Sequence, residues 1–284
     1  MDRISASTYA KINLSLDVTG KRPDGYHNID SIFEEISLCD TVTIEFDDSK
    51  NISVSCSKPG IPTDSRNIVW KAADEFFKTS EITNPGLHIH IDKNIPNEAG
   101  MGGGSTNAAG VLKLLNDYFK TQMNDDELMK IAARTGADTP FFIKGKLCLV
   151  EGTGEIVTPL PALPSHYIVC AKGNKGVSTP EAYRQIDLLE NSVHHNKNEI
   201  LKHISTSDIV KLMPLCINTF ENTNIPDDIE IIKTIMKKHN TIGTMMTGSG
   251  AAVFGIFTDY SDADKACSEL AKLFPFYGTF INIR

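Results

Sequence analysis

Three stretches of this 284-residue chain carry groups suited to holding a polyphosphate beside an alcohol. The most distinctive is Pro96-Asn97-Glu98-Ala99-Gly100-Met101-Gly102-Gly103-Gly104-Ser105-Thr106. Residues without a Cβ let successive backbone N–H groups turn toward an anion, and a helix starting after Gly104 adds unpaired N–H groups and the positive end of its dipole. No Gly-Lys-Ser/Thr follows, so this is not a P-loop, and Ser105 in the last position breaks GxGxxG. The competing reading is a plain turn between a strand and a helix. Four glycines within residues 100–104 weigh against it, because each loses much conformational freedom on folding.

A triphosphate held without a lysine of its own loop needs a cation from elsewhere. Lys11 is the candidate, set against the ordinary reading of a solvated strand lysine. Asp138, in Thr135-Gly136-Ala137-Asp138-Thr139-Pro140, can accept the proton of an attacking hydroxyl or align that hydroxyl for in-line transfer. A cation such as Lys11 nearby would keep its carboxylate ionised. Spacing alone equally allows a capping or turn aspartate. Met246-Thr247-Gly248-Ser249-Gly250 reads either as a tight turn or as a place where backbone approaches another loop or a ligand. His88 and His90 share one strand face but lack a third metal ligand nearby, and His194-His195 reads as part of a solvated loop.

The elements around these residues follow from periodicity. Ile12, Leu14, Leu16 and Val18 alternate with Lys11, Asn13, Ser15 and Asp17, the period-2 pattern of a half-buried strand with Lys11 and Asn13 on its outward side. A turn at Arg22-Pro23-Asp24-Gly25 follows, then strand-like runs over 41–46 and 52–56, helical spacing over 68–78, and a strand through Leu87, Ile89 and Ile91. Beyond the glycines, Ser105, Thr106 and Asn107 are N-cap candidates for a helix with the stripe Ala108, Val111, Leu112, Leu115 and Phe119. A helix over 125–134 ends at Gly136, with Asp138 in the connection before Pro140, and a strand lies near 146–151. The segment Gly152 to Ser165, rich in glycine and proline, is the candidate boundary, dividing the chain into 1–164 and 165–284. Strands at 166–171, 251–257 and 279–283 alternate irregularly with helices at 227–238 and 262–273, a pattern of α+β class.

The formal net charge of -8 argues against a broad nucleic-acid-binding face. No leader pattern or apolar run of about 18 residues is present, so neither export nor membrane insertion is expected. Six scattered cysteines without CxxC fit a reducing cytoplasm.

Ala10-Lys11-Ile12-Asn13-Leu14, Arg22-Pro23-Asp24-Gly25-Tyr26-His27, Pro96 to Thr106, Gly136-Ala137-Asp138-Thr139-Pro140-Phe141 and Gly248-Ser249-Gly250, in this order, resemble the galactokinase, homoserine kinase, mevalonate kinase and phosphomevalonate kinase superfamily. That resemblance implies a two-domain α+β fold. An N-terminal domain like ribosomal protein S5 and a C-terminal ferredoxin-like domain would have the active site in the cleft between them. It implies ATP with Mg2+, with Asp138 as catalytic base, Lys11 beside it and Asn13 positioning the site. Pro96, Ala99, Gly100, Met101, Gly102, Gly103, Gly104, Ser105 and Thr106 would hold the nucleotide phosphates, with Asn67 and Lys93 near the adenine pocket. No metal ligand is assigned, and Ser105 is only a candidate contact. The Pro-Asp-Gly-Tyr-His block points to the branch whose substrate is a cytidine-diphosphate-linked methylerythritol, phosphorylated on its 2-hydroxyl on the mevalonate-independent isoprenoid route. Tyr26, His27 and, on a looser match, Tyr183 would meet the cytidine. Another alcohol acceptor such as homoserine or mevalonate, or a nucleotide-binding protein without turnover, are the alternatives. A monomer or homodimer is expected. Met101, Gly110 and Thr106-Asn107 depart from the usual family residues without removing any of these groups.

Overall fold

The computed structural model describes residues 2–189 and 193–284. In chain order the elements are β1 (Arg3–Lys21), β2 (His27–Phe46), β3 (Ile52–Cys56), α1 (Ile68–Ser80), β4 (Leu87–Asp92), α2 (Gly103–Phe119), α3 (Asp125–Thr135), α4 (Thr139–Lys144), β5 (Leu147–Gly152) and β6 (Ile156–Pro159). They continue with β7 (Tyr167–Lys172), α5 (Thr179–Ile186), α6 (Lys197–Ser205), α7 (Ile209–Leu212), α8 (Asp228–Lys238), β8 (Gly243–Met246), β9 (Val253–Phe257), α9 (Tyr260–Leu270) and β10 (Phe276–Ile281). Mixed strands and helices without regular alternation give the expected α+β class.

Contacts gather the residues into two compact units. One takes the chain up to Ala10, Leu38–Ile95 and Gly102–Gly145; the other takes Lys11–Ser37, Pro96–Met101 and Lys146–Arg284. Neither unit ends at Pro164, where the sequence suggested a single division. The physical reason is strand length: β1 and β2, of 19 and 20 residues, each contribute to both units. The stretch read as a boundary linker instead holds β6, which pairs antiparallel with β5 from Glu151↔Ile156 to Cys148↔Pro159.

In the first unit β4 pairs antiparallel with the end of β2, Thr41↔Asp92 to Phe46↔Leu87, and parallel with β3. The alternation of β4 buries Leu87, Ile89 and Ile91. Val69, Ala72, Ala73 and Phe76 of α1 and Val111, Leu112 and Leu115 of α2 are buried as well, as helical spacing required. His88 and His90 are bonded to serines: both nitrogens of His88 meet hydroxyls, of Ser53 at 2.9 Å and Ser55 at 2.8 Å, and Ser55 also meets His90 at 2.8 Å. Gly110 inside α2 has a packing reason, because a Cβ there would stand 2.4 Å from the Thr8 methyl.

In the second unit the start of β2 pairs with β5. A separate antiparallel sheet has the order β10-β7-β9-β8. With α8 between β7 and β8 and α9 between β9 and β10, this is the β-α-β-β-α-β arrangement of ferredoxin-like domains, with α5 to α7 added after β7. Ile168, Val169, Phe254, Ile256 and Phe257 are buried in its sheet.

Candidate active site

The alternation read from β1 is present, but its polar side is not solvated. Lys11, Asn13, Ser15 and Asp17 are all at most 2% exposed. Burying such a row is tolerable only if each group is paired, and partners come from distant parts of the second unit. Lys11 Nζ donates to Asn13 Oδ1 at 2.6 Å and lies 4.5 Å from the centre of the Phe33 ring, a cation–π contact. Asn13 is itself fixed: its backbone N–H donates to Thr247 Oγ at 3.0 Å and its amide nitrogen donates to Ser31 Oγ at 3.0 Å. The half-solvated strand expected from the pattern is therefore corrected to a strand buried on both faces.

His195 corrects a second expectation. Its side chain is 2% exposed and sits between Ser15 Oγ at 2.7 Å and Asp30 Oδ1 at 3.1 Å. His194 does reach the surface, bonding Asp17 at 2.9 Å. The order Ser15, His195, Asp30 looks like a nucleophile relay, but the Ser15 hydroxyl is buried and also accepts from Ile217 N–H at 3.2 Å, so it serves to seat β1.

The glycine loop runs through both units, with Pro96–Met101 in the second and Gly102 onward in the first. In the second, Lys11 N–H donates to Met101 C=O at 3.1 Å, and Thr247 Oγ reaches Gly100 C=O at 3.2 Å. Gly100 has φ +69, and a Cβ on it would fall 1.9 Å from Thr247 C=O, while one on Gly248 would fall 2.9 Å from Gly100 Cα. Met246 to Gly250 is therefore the loop against which the glycine loop's backbone lies, the approach that its glycines left open.

In the first unit the start of α2 differs from expectation. Gly102, with φ 71 and ψ 18, is the N-cap and no side chain caps the helix. Ser105, Thr106 and Asn107 lie within the helix, with Thr106 N–H already bonded to Gly102 C=O at 2.9 Å and Asn107 Oδ1 accepting from the Thr8 hydroxyl at 2.7 Å. A backbone cap leaves the first N–H groups without a side-chain acceptor, which suits them to an anion.

Asn67 caps α1, its Oδ1 accepting from Val69 N–H at 3.0 Å and its nitrogen donating to Pro62 C=O at 2.6 Å. Lys93 is 5% exposed and donates to Asp40, which is wholly buried. Burial pushes the Lys93 ammonium's pKa down and the Asp40 charge only partly offsets this. Asp40 Oδ1 also accepts from the N–H groups of Asn94 at 2.7 Å and Ile95 at 2.8 Å. A Cβ on Gly103 would be 2.6 Å from Lys93 Nζ, so this buried pair lies directly under the first turn of α2. Lys93 thus supports the first turn of α2, whereas Asn67 caps α1. Asp40, the partner of Lys93, had no signal in the sequence beyond standing next to a strand-like run.

Asp138 occupies the N-cap position of α4 but accepts no bond there from the helix it heads, so the capping role does not account for it. It is half-buried, close along the chain to Gly136, whose missing side chain leaves room for Ile68 and the Thr139 and Ser105 hydroxyls.

At the far end of the β1–β2 turn, Tyr26 is 66% exposed and His27 is buried. The His27 ring stacks on Tyr183 at 4.7 Å and 21°, and its Nε2 bonds Asp187 at 2.7 Å. Tyr183, the looser match, and His27 thus come together. Asp187 was missed; the only available signal was its spacing, one helical turn after Tyr183.

Two family models match the chain, "GHMP kinases N terminal domain" over residues 67–146 and "GHMP kinases C terminal" over 201–275. The boundary expected near Pro164 falls in the stretch between them. A relative from Clostridium beijerinckii called 4-diphosphocytidyl-2-C-methyl-D-erythritol kinase is 42% identical over 266 residues, 93% of this chain and 94% of that one. A crystal structure of 4-(cytidine 5'-diphospho)-2C-methyl-D-erythritol kinase superposes with TM-score 0.81 at 28% identity, covering 98% of this chain and 99% of the other. A homoserine kinase from Cytophaga hutchinsonii shares the fold with TM-score 0.77 at 16% identity, over 100% and 95% of the two chains. Kinship along nearly the whole length, together with the backbone-capped glycine loop and the buried Lys11, establishes that the chain belongs to the GHMP kinases, in the 4-diphosphocytidyl-2-C-methyl-D-erythritol kinase family.

Proposed function

We infer that this protein is an ATP-dependent kinase that phosphorylates the 2-hydroxyl of 4-diphosphocytidyl-2-C-methyl-D-erythritol, in the mevalonate-independent synthesis of isoprenoid precursors. The observation that carries the reading is the 42% identity to a kinase of that name across 93% of the chain. In the proposed reaction the 2-hydroxyl oxygen attacks the γ-phosphorus in line and the bond to the β,γ-bridging oxygen breaks, its electron pair leaving with ADP. The hydroxyl proton passes to Asp138. Lys11, with Asn13 and Thr247 fixing its position, supplies positive charge at the reacting centre. The N–H groups at the start of α2 and of residues 100–104 receive the phosphates.

Mg2+ belongs to the proposal as a companion of the nucleotide. Such an ion would be held largely by the β- and γ-phosphates and water, with few protein ligands. Ser105 Oγ, in the first turn of α2, is the side chain offered to it or to a phosphate. Tyr26, His27 and Tyr183 are proposed to receive the cytosine. Among the described residues no helix is long and apolar enough to cross a membrane, and all six cysteines are free thiols. We place the enzyme in the cytoplasm, as a monomer or homodimer.

The test is ADP release by the purified protein with ATP, Mg2+ and a panel of alcohols: the cytidine-linked methylerythritol, homoserine and mevalonate. Turnover confined to the first supports the assignment. Faster turnover of homoserine or mevalonate overturns it.

A further inference from the structure

One turn of α5 offers two different groups to the same imidazole. Tyr183 lays its ring on His27, and Phe220 braces that ring edge-on at 5.0 Å and 83°. Asp187 follows four residues later, the spacing that puts side chains on one helix face, and its Oδ1 takes His27 Nε2 at 2.7 Å. Its Oδ2 is held by Lys21 Nζ at 2.5 Å. The hydrogen bonds from Lys21 and then His27 hold the Asp187 carboxyl below its usual range, so it is ionised at neutral pH. An ionised carboxylate can only accept. Nε2 must therefore carry the hydrogen, and in the neutral ring Nδ1 is left as an acceptor. No group among the described residues bonds Nδ1.

We infer that Asp187 is the positioning residue that makes this site read cytosine rather than uracil, by fixing His27 in the tautomer whose Nδ1 accepts a hydrogen bond from an exocyclic amine. Cytosine presents an amine at the position where a 4-oxo pyrimidine presents an acceptor. Against Nδ1 the first is a hydrogen bond and the second is two facing lone pairs. The inference rests on the reading that places His27 at the base of the substrate. It adds that base choice is set by a carboxylate that does not touch the substrate.

The experiment compares kcat/KM for the cytidine-linked substrate and its uridine-linked analogue in the wild type and in Asp187→Ala, Asp187→Asn and Asp187→Glu. Imidazole 15N shifts of His27 in the substrate-free protein provide a readout independent of activity. In the wild type His27 is expected as the Nε2–H tautomer, with cytidine preferred by about 10²-fold or more, the order by which a site built for one hydrogen-bonding pattern rejects its opposite. Asp187→Ala and Asp187→Asn are expected to give mixed tautomers and to cut that preference about tenfold, through KM for the cytidine substrate, with KM for ATP unchanged. Asp187→Glu restores part of it. A preference that survives in both variants, or an equal loss with both substrates, overturns the inference and leaves the assigned activity standing. A wild type indifferent to the base overturns the base-recognition reading and this inference with it.

Discussion

Lys11 shows how a single residue becomes equipped for chemistry. A buried ammonium is costly unless other groups surround it; Asn13 and the Phe33 ring meet it, and Thr247, from a third part of the chain, holds Asn13 in place. Asp138→Asn keeps the shape of the side chain but cannot accept a proton, so kcat is expected to fall by about 10²- to 10⁴-fold with an unchanged circular-dichroism spectrum. Near-normal turnover would remove Asp138 as the base. The Lys93–Asp40 pair predicts the opposite phenotype. Lys93→Met leaves a fully buried carboxylate with only backbone donors, and unfolding in urea should show a loss of about 3–5 kcal/mol. If stability is preserved, the pair is not a structural support of α2.

At the scale of elements, the start of α2 and the loop over 246–250 each use glycine for a distinct reason. Gly102 caps the helix in a left-handed conformation without a side chain, so no cap side chain occupies the first N–H groups of α2. Gly100 and Gly248 permit a backbone approach that any Cβ would block. Gly100→Ala is accordingly expected to lower the melting temperature by several degrees and to raise KM for ATP, since a positive φ is strained for alanine and the collision is with backbone. Thermal unfolding with and without ATP checks it; a variant with wild-type melting and ATP affinity would show that the two loops do not need their contact.

For the whole molecule, two predictions concern stability. His166 is buried against Glu34, its Nε2 at 3.2 Å from the carboxylate and its Nδ1 at 2.9 Å from Pro164 C=O. Burial pushes the imidazole's pKa down, but Glu34 and the carbonyl outweigh it and leave the pKa above 6.5. The folded protein therefore holds this proton more tightly than the unfolded chain. The resulting stability is complete below about pH 6.5 and is lost as the pH rises through the folded-state value. Urea unfolding across pH 5–9 should show the difference between wild type and His166→Gln shrinking over that window; a difference independent of pH would contradict it. The second concerns autonomy. The second unit includes Lys11–Ser37, whose strands pair with β5 and bury Asn13 against Thr247. A fragment of residues 165–284 is expected to lack cooperative thermal unfolding, and a sharp transition would show that the sequence boundary marks a self-sufficient domain.

Much of the local structure was already written in the order of residues. Alternation marked β1 and β4, helical stripes marked α1, α2 and α3, and the clustered glycines marked the loop proposed to hold phosphates, because periodicity and missing side chains act on neighbours in sequence. What covers each face was not legible. Lys11 and His195 read as solvated although both are buried, because alternation records that two faces differ and not what lies against them. Gly100 and Thr247 meet across 147 positions, and His27 finds Asp187 across 160. Such contacts depend on how the strands and helices pack together, so only the tertiary structure decided which polar groups are paired, and with them the environment of the residues proposed to do the chemistry.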